Sequence, residues 1–256
     1  MKIDAITQKL EEGLESLLNS DNWTAYLDTL SRFHHYSFNN CVLILMQCPE
    51  ASRVAGYRKW QEFGRQVRKG EKAIQILAPV PHKKVVQDGD EEKVIRWNTY
   101  RVVSVFDVSQ TDGDDLPEIC RTLTDGVDGY EDMIRRLMDY SEVPVVFEKI
   151  NGSTKGYYSK ADNKIAVKEN MPQAQTIKTL VHEIAHSLMH ADSDKDRSTK
   201  EIEAESVAYT VCQHFGIETG EYSFGYLASW SGGDRDALKK SMAAIQQTAD
   251  KIITGI

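Results

Sequence analysis

The sequence predicts an α+β chain in two parts: an N-terminal α+β part, then a C-terminal part with a small sheet and one long helix that carries two histidines four residues apart. Three observations lead there. Apolar residues recur at three-to-four spacing over residues 3–30 and again over 172–190, the mark of helices that bury one face. After Pro49 the pattern shortens to extended runs at 73–77, 84–86 and 100–108, the last with alternating apolar positions. Charge is also divided unevenly. Residues 1–110 hold 15 Lys and Arg against 14 Asp and Glu, and residues 111–256 hold the other 16 against 25, so the net charge of -8 sits in the second part.

Taken in order, Ile6, Leu10, Leu14 and Leu17 place a helix over 3–30, and Asn39–Gln47 reads as a second, buried helix. The polar run Gln87–Glu92 forms a hairpin tip between two extended stretches. Thr111-Asp112-Gly113-Asp114-Asp115-Leu116-Pro117 is acidic and turn-rich, and sets a boundary between domains 1–112 and 113–256. Beyond it, Tyr130–Tyr140 is helical, while Val143–Phe147 and Ile165–Val167 are extended, the latter after an Asp162-Asn163 turn. Pro172 suits the first turn of a helix, where its missing N–H is not needed. Ile177, Leu180, Val181, Ile184, Ala185 and Leu188 then form one apolar stripe as far as His190. A polar connection (191–198) leads to a helix from Thr199 to Phe215, closed by Gly216, and a last helix covers Asp234–Ile253. At 256 residues the chain can build two cores.

Several classes are excluded. The first twenty residues carry acids and no unbroken apolar core, so they are no signal peptide. No run approaches the roughly 18 apolar residues that span a bilayer, so no membrane is expected. Cys41, Cys48, Cys120 and Cys212 lack CxxC spacing and read as reduced thiols of a cytoplasmic protein.

The chemistry lies in His182-Glu183-Ile184-Ala185-His186. Residues i and i+4 share a helix face, so the two imidazoles can meet one ion, and Glu183 reaches the position left for water. This HExxH arrangement gives zinc two neutral ligands and a general base, as in a peptidase acting on a peptide or protein substrate. The third ligand has two candidates on the next helix, Glu201 and Glu205. Asp192 is set aside, because the sharp turn that would bring it round needs a glycine where Met189 stands. Ser198-x-x-Glu201 also spells a capping box, so Glu201 has a rival structural role. With Glu201 as ligand, Glu205 supports a ligating histidine from outside; with Glu201 as cap, Glu205 becomes the ligand. His190 sits one turn further on, where the helix dipole favours histidine. It is also a candidate contact to substrate or to the tetrahedral intermediate, as are Tyr209, Tyr222 and Tyr226. Cys212 and His214 follow the apolar pattern and read as packing. An extended substrate is expected to add as a strand beside Lys164–Lys168.

In the first part, residues 53–72 hold Arg53, Arg58, Lys59, Arg65, Arg68, Lys69 and Lys72 against Glu62 and Glu71, with Tyr57, Trp60 and Phe63 interleaved. Cations with aromatic platforms are the means by which proteins hold single-stranded nucleic acid. The same composition also describes a solvated surface over an aromatic core, with Trp60 and Phe63 turned inward.

Two resemblances complete the reading. The C-terminal part resembles gluzincin-like peptidases of the ImmA/IrrE kind, within the wider zincin class, through His182-Glu183-x-x-His186 and Glu201-x-x-Ala204. The N-terminal part is similar to ArdC-type antirestriction domains, through Ser31–Asn40, Gly56-Tyr57-Arg58-Lys59-Trp60, Gly64-Arg65-x-Val67-x-Lys69-Gly70-Glu71 and Val105-Phe106-Asp107-Val108. The tail Tyr222–Trp230 also looks like members of that group, sometimes called LtrC-like. The resemblance implies a single-stranded-DNA-binding domain (Arg53, Arg58, Lys59, Trp60, Arg65, Arg68, Lys69, Lys72) fused to a zinc metallopeptidase and encoded on a mobile element. Members of the ImmA/IrrE kind usually have Asn after E-x-x-A, whereas Glu205 stands here. The alternative reading is a non-proteolytic antirestriction module that binds single-stranded DNA and keeps a structural or vestigial zinc site.

Overall fold

The computed structural model describes residues 3–17, 20–88, 91–116, 127–219 and 234–256. They fall into two compact units, Met1–Ser16 with Asn39–Leu116, and Leu17–Phe38 with Pro117–Ile256. The stretch expected as one helix over 3–30 is two, α1 (Ile3–Ser16) and α2 (Ser20–Arg32), and they belong to different units. Asn, Ser and Asp, which follow the first apolar stripe in the sequence, are weak helix formers.

In the first unit α1 meets α3 (Phe38–Gln47) at Gly13, where a Cβ would stand 2.6 Å from Val42 Cγ1. The sheet is β1 (Val54–Ala55), β4 (Glu91–Asp107) and β3 (Ile74–Asp88), in the order β1-β4-β3. β3 and β4 are one long antiparallel ribbon, paired from Ile74↔Val105 to Asp88↔Glu91. Its base is buried at Ile74, Ile76 and Val105. Along the outer edge of β3, the Asn40 amide bonds both the N–H and the C=O of Leu77 at 2.9 Å, and the Gln47 amide bonds those of Gln75 at 3.1 and 2.9 Å. Those two amides stand seven residues apart on α3, two turns along one face, and block the sheet edge there.

The ribbon is much longer than the short runs at 73–77, 84–86 and 100–108 foretold. Pro79 and Pro81 interrupt the sequence pattern, but they share the parity of Gln75 and Leu77, whose N–H groups point away from β4. On that outer edge a missing donor is tolerated. Helix α4 (Tyr57–Glu62) forms where the sequence reading assigned no element, held by Trp60, which is 2 % exposed and donates its indole N–H to Phe106 O at 2.8 Å. The start of the acidic boundary segment is itself a strand, β5 (Thr111–Gly113), paired with β2 (Arg65–Val67). Buried Asp107 accepts from the backbone N–H of Ser52, Arg53 and Ser109. Burial raises its pKa, but the bonds from Ser109 and Arg53 outweigh that and hold it below the ordinary value.

The second unit is built on β6 (Val145–Glu148), β8 (Lys164–Lys168) and β7 (Gly156–Ser159), in the order β6-β8-β7. β8 is therefore central, parallel to β6 and antiparallel to β7. Packed with them are α5 (Val127–Tyr140), α6 (Gln173–His190), α7 (Arg197–His214) and α8 (Arg235–Gly255). Ile177, Leu180, Val181, Ile184 and Ala185 are buried on α6, against a core that includes Ile165, Ala204, Val207, Met242 and Ile245. Burial of each such large aliphatic side chain contributes about 1.5–3 kcal/mol, and together they fix the rotation of α6 about its axis. Buried Ala204 and Ala208 let α6 and α7 approach closely. On the other side of α7, Trp23 of α2 donates to Ser206 Oγ at 3.2 Å and Tyr209 Oη to Asp28 Oδ1 at 2.6 Å. Tyr209 is thereby committed to holding α2, which removes it as a candidate for the intermediate. No helix among the described residues is long and apolar enough to cross a membrane.

Candidate metal centre

The apolar stripe of α6 leaves His182 and His186 on the face turned to α7, with their Nε2 atoms 3.1 Å apart. Glu201 comes from the first turns of α7. Its Oε2 lies 3.5 Å from His182 Nε2 and 3.8 Å from His186 Nε2, and the three ligand atoms fall within 4.8 Å of one another. Glu201 is free for this because the helix is capped elsewhere: Asp196 accepts from the Thr199 N–H at 3.0 Å, so Ser198 is not the cap.

Glu205 stands one turn further on and faces the back of the group. Its Oε2 meets His182 Nδ1 at 3.1 Å, and its Oε1 takes the Lys178 ammonium at 2.8 Å. Burial alone would lower the pKa of His182, but Glu201 and Glu205 beside it raise it to about 9. The Glu201 carboxyl is pushed well below its ordinary range by hydrogen bonds to His182 and His186.

His186 is backed differently. Its Nδ1 lies 2.9 Å from His190 Nδ1, and His190 Nε2 lies 2.9 Å from Glu203 Oε2. The His190 side chain is 4 % exposed and that of Glu203 0 %, and the Lys195 ammonium balances Glu203 at 2.5 Å. His190 borders the cleft that Glu183 also lines, and its two ring nitrogens are turned to His186 and to Glu203. Glu203 escaped the sequence reading, since its partner lies 13 residues back on another helix and no local spacing joins them.

Glu183 is buried and lies in a cleft of about 700 Å³ that Tyr158, Thr179, His182, His186 and Glu201 also line. Its carboxyl pKa is raised above the ordinary value by burial, opposed by the neighbouring histidines. The edge strand β7 forms one wall and packs tightly on α6. A Cβ on Gly156 would stand 2.6 Å from Thr179 Cγ2 and 3.3 Å from Glu183 Cγ. Lys164–Lys168, expected to receive a substrate strand, has both edges occupied; among the described residues the outer strands are β6 and β7, and β7 is the one that lines the cleft. Tyr222, Tyr226 and the tail motif lie outside the described residues.

The basic segment of the first unit is arranged otherwise. Trp60 is buried and offers no stacking surface. Arg65 bonds Thr111 Oγ1, Thr111 O and Gly113 O and so braces β2 against β5, and Arg68, just after β2, bonds Glu71 and Ser109 O. Lys59 pairs with Glu62 at 2.9 Å, and Arg53 is half-buried. Arg58, Lys69 and Lys72 are exposed.

Two family models match. Residues 2–108 match the N-terminal domain of anti-restriction factor ArdC, and residues 138–213 match the IrrE N-terminal-like domain. The chain joins an ArdC-type N-terminal domain to an IrrE-like domain. The fold is that of the antirestriction ArdC protein from the R388 plasmid. Its Mn(II)-bound crystal structure superposes with a TM-score of 0.60 at 18 % identity, over 96 % of this chain and 97 % of that one. The metal-free structure gives 0.56 at 23 % identity, over 85 % and 84 %. An uncharacterized protein of Bacillus anthracis is 26 % identical over 272 residues. That match takes in 89 % of this chain and 46 % of the relative, so the chain spans less than half of that relative's length.

Proposed function

We propose that the chain is a zinc-dependent metallopeptidase with a single-stranded-DNA-binding N-terminal domain, serving antirestriction or the transfer of a mobile genetic element. The observation that carries the peptidase reading is buried Glu183 beside the His182–His186–Glu201 group in one cleft. His182 and His186 would hold the ion through Nε2 and Glu201 through a carboxylate oxygen, a set of two imidazoles and one carboxylate that suits zinc. Zinc, when bound, polarises the scissile carbonyl and acidifies the attacking water.

Glu183 takes the proton of that water and hands it to the leaving amine. Its raised pKa suits a group that must first gain a proton and then give it up. Glu205 accepts from His182 Nδ1, and the His190–Glu203 pair accepts from His186 Nδ1, so both imidazoles keep Nε2 free for the ion. An extended peptide aligns along the open edge of β7, which brings its backbone to Glu183.

The Mn(II)-bound ArdC structure supports a metal in a protein of this fold, and the donor set here supports zinc over manganese, which binds nitrogen ligands more weakly. The test is Glu183→Gln in the metal-loaded protein, incubated with a panel of unfolded proteins and read by mass spectrometry of new N-termini. Cleavage should fall by about 10²–10⁴-fold with metal content unchanged. If antirestriction activity survives that substitution and no Glu183-dependent cleavage is found, the non-proteolytic module is the better account.

A further inference from the structure

The far part of the β3–β4 ribbon has a composition unlike the rest of the surface. Residues 79–86 and 93–101 carry Lys83, Lys84, Lys93, Arg96 and Arg101 and no acidic residue. Exposed among these cations are Val85, Val94, Ile95, Trp97 (45 % exposed) and Tyr100. The register sorts them into two faces, because directly opposed residues point the same way and successive residues alternate. One face holds Ala78/Arg101, Val80/Thr99, His82/Trp97, Lys84/Ile95 and Val86/Lys93.

On that face the indole is held in place. The His82 ring stacks on Trp97 with centroids 5.4 Å apart and planes 17° from parallel, and His82 Nε2 is fixed to Thr99 Oγ1 at 2.7 Å. Arg101 and Lys93 lie four residues to either side of Trp97, about 13 Å along the strand in each direction, and Lys84 is on the neighbouring pair. A pre-oriented aromatic surface with cations to either side along the strand matches a chain of stacked bases on a phosphate backbone. The charge also decides against a lipid surface. In the sequence the segment that joins the two strands holds Asp88, Asp90, Glu91 and Glu92, and an anionic bilayer repels such charge.

We propose that the Trp97 face of the ribbon, and not the basic segment 53–72, is where single-stranded nucleic acid docks, with Trp97 as the stacking platform and Lys84, Lys93 and Arg101 as phosphate contacts. This rests on the reading that the N-terminal unit binds single-stranded DNA, and it moves the site to residues outside the basic segment.

The test uses the full chain and a fluorescent oligo(dT), by anisotropy across a salt series. Trp97→Ala should weaken binding by about tenfold or more. Replacing Lys84, Lys93 and Arg101 together by Ala should flatten the slope of log K against log salt by about 2, since each phosphate contact on a single strand adds about 0.7. Lys69→Ala/Lys72→Ala and Tyr100→Ala should stay within about twofold. Trp97→Phe, which keeps a stacking ring, should recover most of the affinity, and circular dichroism checks the fold of each variant. Wild-type binding that Trp97→Ala leaves intact, or that Lys69→Ala/Lys72→Ala abolishes, overturns the location and spares the reading. No oligo(dT) binding by the wild type, or tighter capture by anionic vesicles, overturns both.

Discussion

Two stretches of this chain draw the eye on composition, the His182–Glu205 span and the Arg53–Lys72 span, and their side chains are arranged in opposite ways. In the first, His182, His186 and Glu201 converge on one point with carboxylates behind them. In the second, the most conspicuous groups are spent internally, Trp60 in the core, Arg65 on the backbone of β5 and Arg68 on Glu71 and the carbonyl of Ser109. The difference follows from what sets each pattern. Two histidines at i and i+4 on a helix with a buried opposite face must point together. Basic and aromatic residues spread over a helix, a turn and a short strand point wherever those elements face.

The largest effect that would sharpen the contrast lies at the convergent site. His182→Ala should take metal content from about one ion per chain to a small fraction of that after dialysis against micromolar zinc, read by atomic emission. Glu201→Ala should weaken retention far more than Glu205→Ala, because only Glu201 reaches both Nε2 atoms. The reverse order for the two glutamates would mean that α7 presents Glu205 to the ion. Lys69→Ala/Lys72→Ala should leave metal content untouched.

What the sequence disclosed, and what it hid, divides along the same line. The α6 stripe, the HExxH face and the Gly216 stop are local periodicities, and Gly216 does take a positive φ of 68°. The choice between Glu201 and Glu205 turned on a cap, and Asp196 and Ser198 are equally plausible caps until the helix start is known. The His190–Glu203 pair depends on how α6 packs on α7, which no spacing within either helix encodes. The ribbon was obscured by two prolines that are harmless only because β3 is an edge strand. Helix α4 was missed because a six-residue helix shows barely two turns of periodicity, and Trp60 burial decides its form.

A second test bears on the basic segment itself. If its aromatics are structural, Trp60→Ala should destabilise the first unit by roughly 3–5 kcal/mol, the range for truncating a buried large aromatic. Lys69→Ala and Lys72→Ala, on exposed side chains, should stay within about 0.5 kcal/mol. Urea unfolding followed by the unit's own circular dichroism signal reads both. A mild Trp60→Ala with a strong loss of nucleic-acid binding would return Trp60 to a recognition role.

The smallest expected effect concerns the asymmetry behind the two histidines. His182 leans directly on a carboxylate, whereas His186 reaches Glu203 only through His190. For His186 to offer Nε2 to a metal, its proton must sit on Nδ1, so His190 must accept there and donate from Nε2 to Glu203. Glu203→Gln keeps the volume and an acceptor but removes the charge that fixes this tautomer. His190→Phe removes the link altogether. Metal affinity, measured by competition with a chelator on folded protein, should drop about 10-fold for Glu203→Gln and up to about 100-fold for His190→Phe, the span seen for groups that orient metal-bound histidines. A packing role would lower the unfolding midpoint of the stripped protein and leave the affinity of the folded fraction unchanged. Unchanged affinity in both variants would therefore mean that His186 is held by its place on α6 alone, and that the buried carboxylate serves the α6–α7 contact and not the ion.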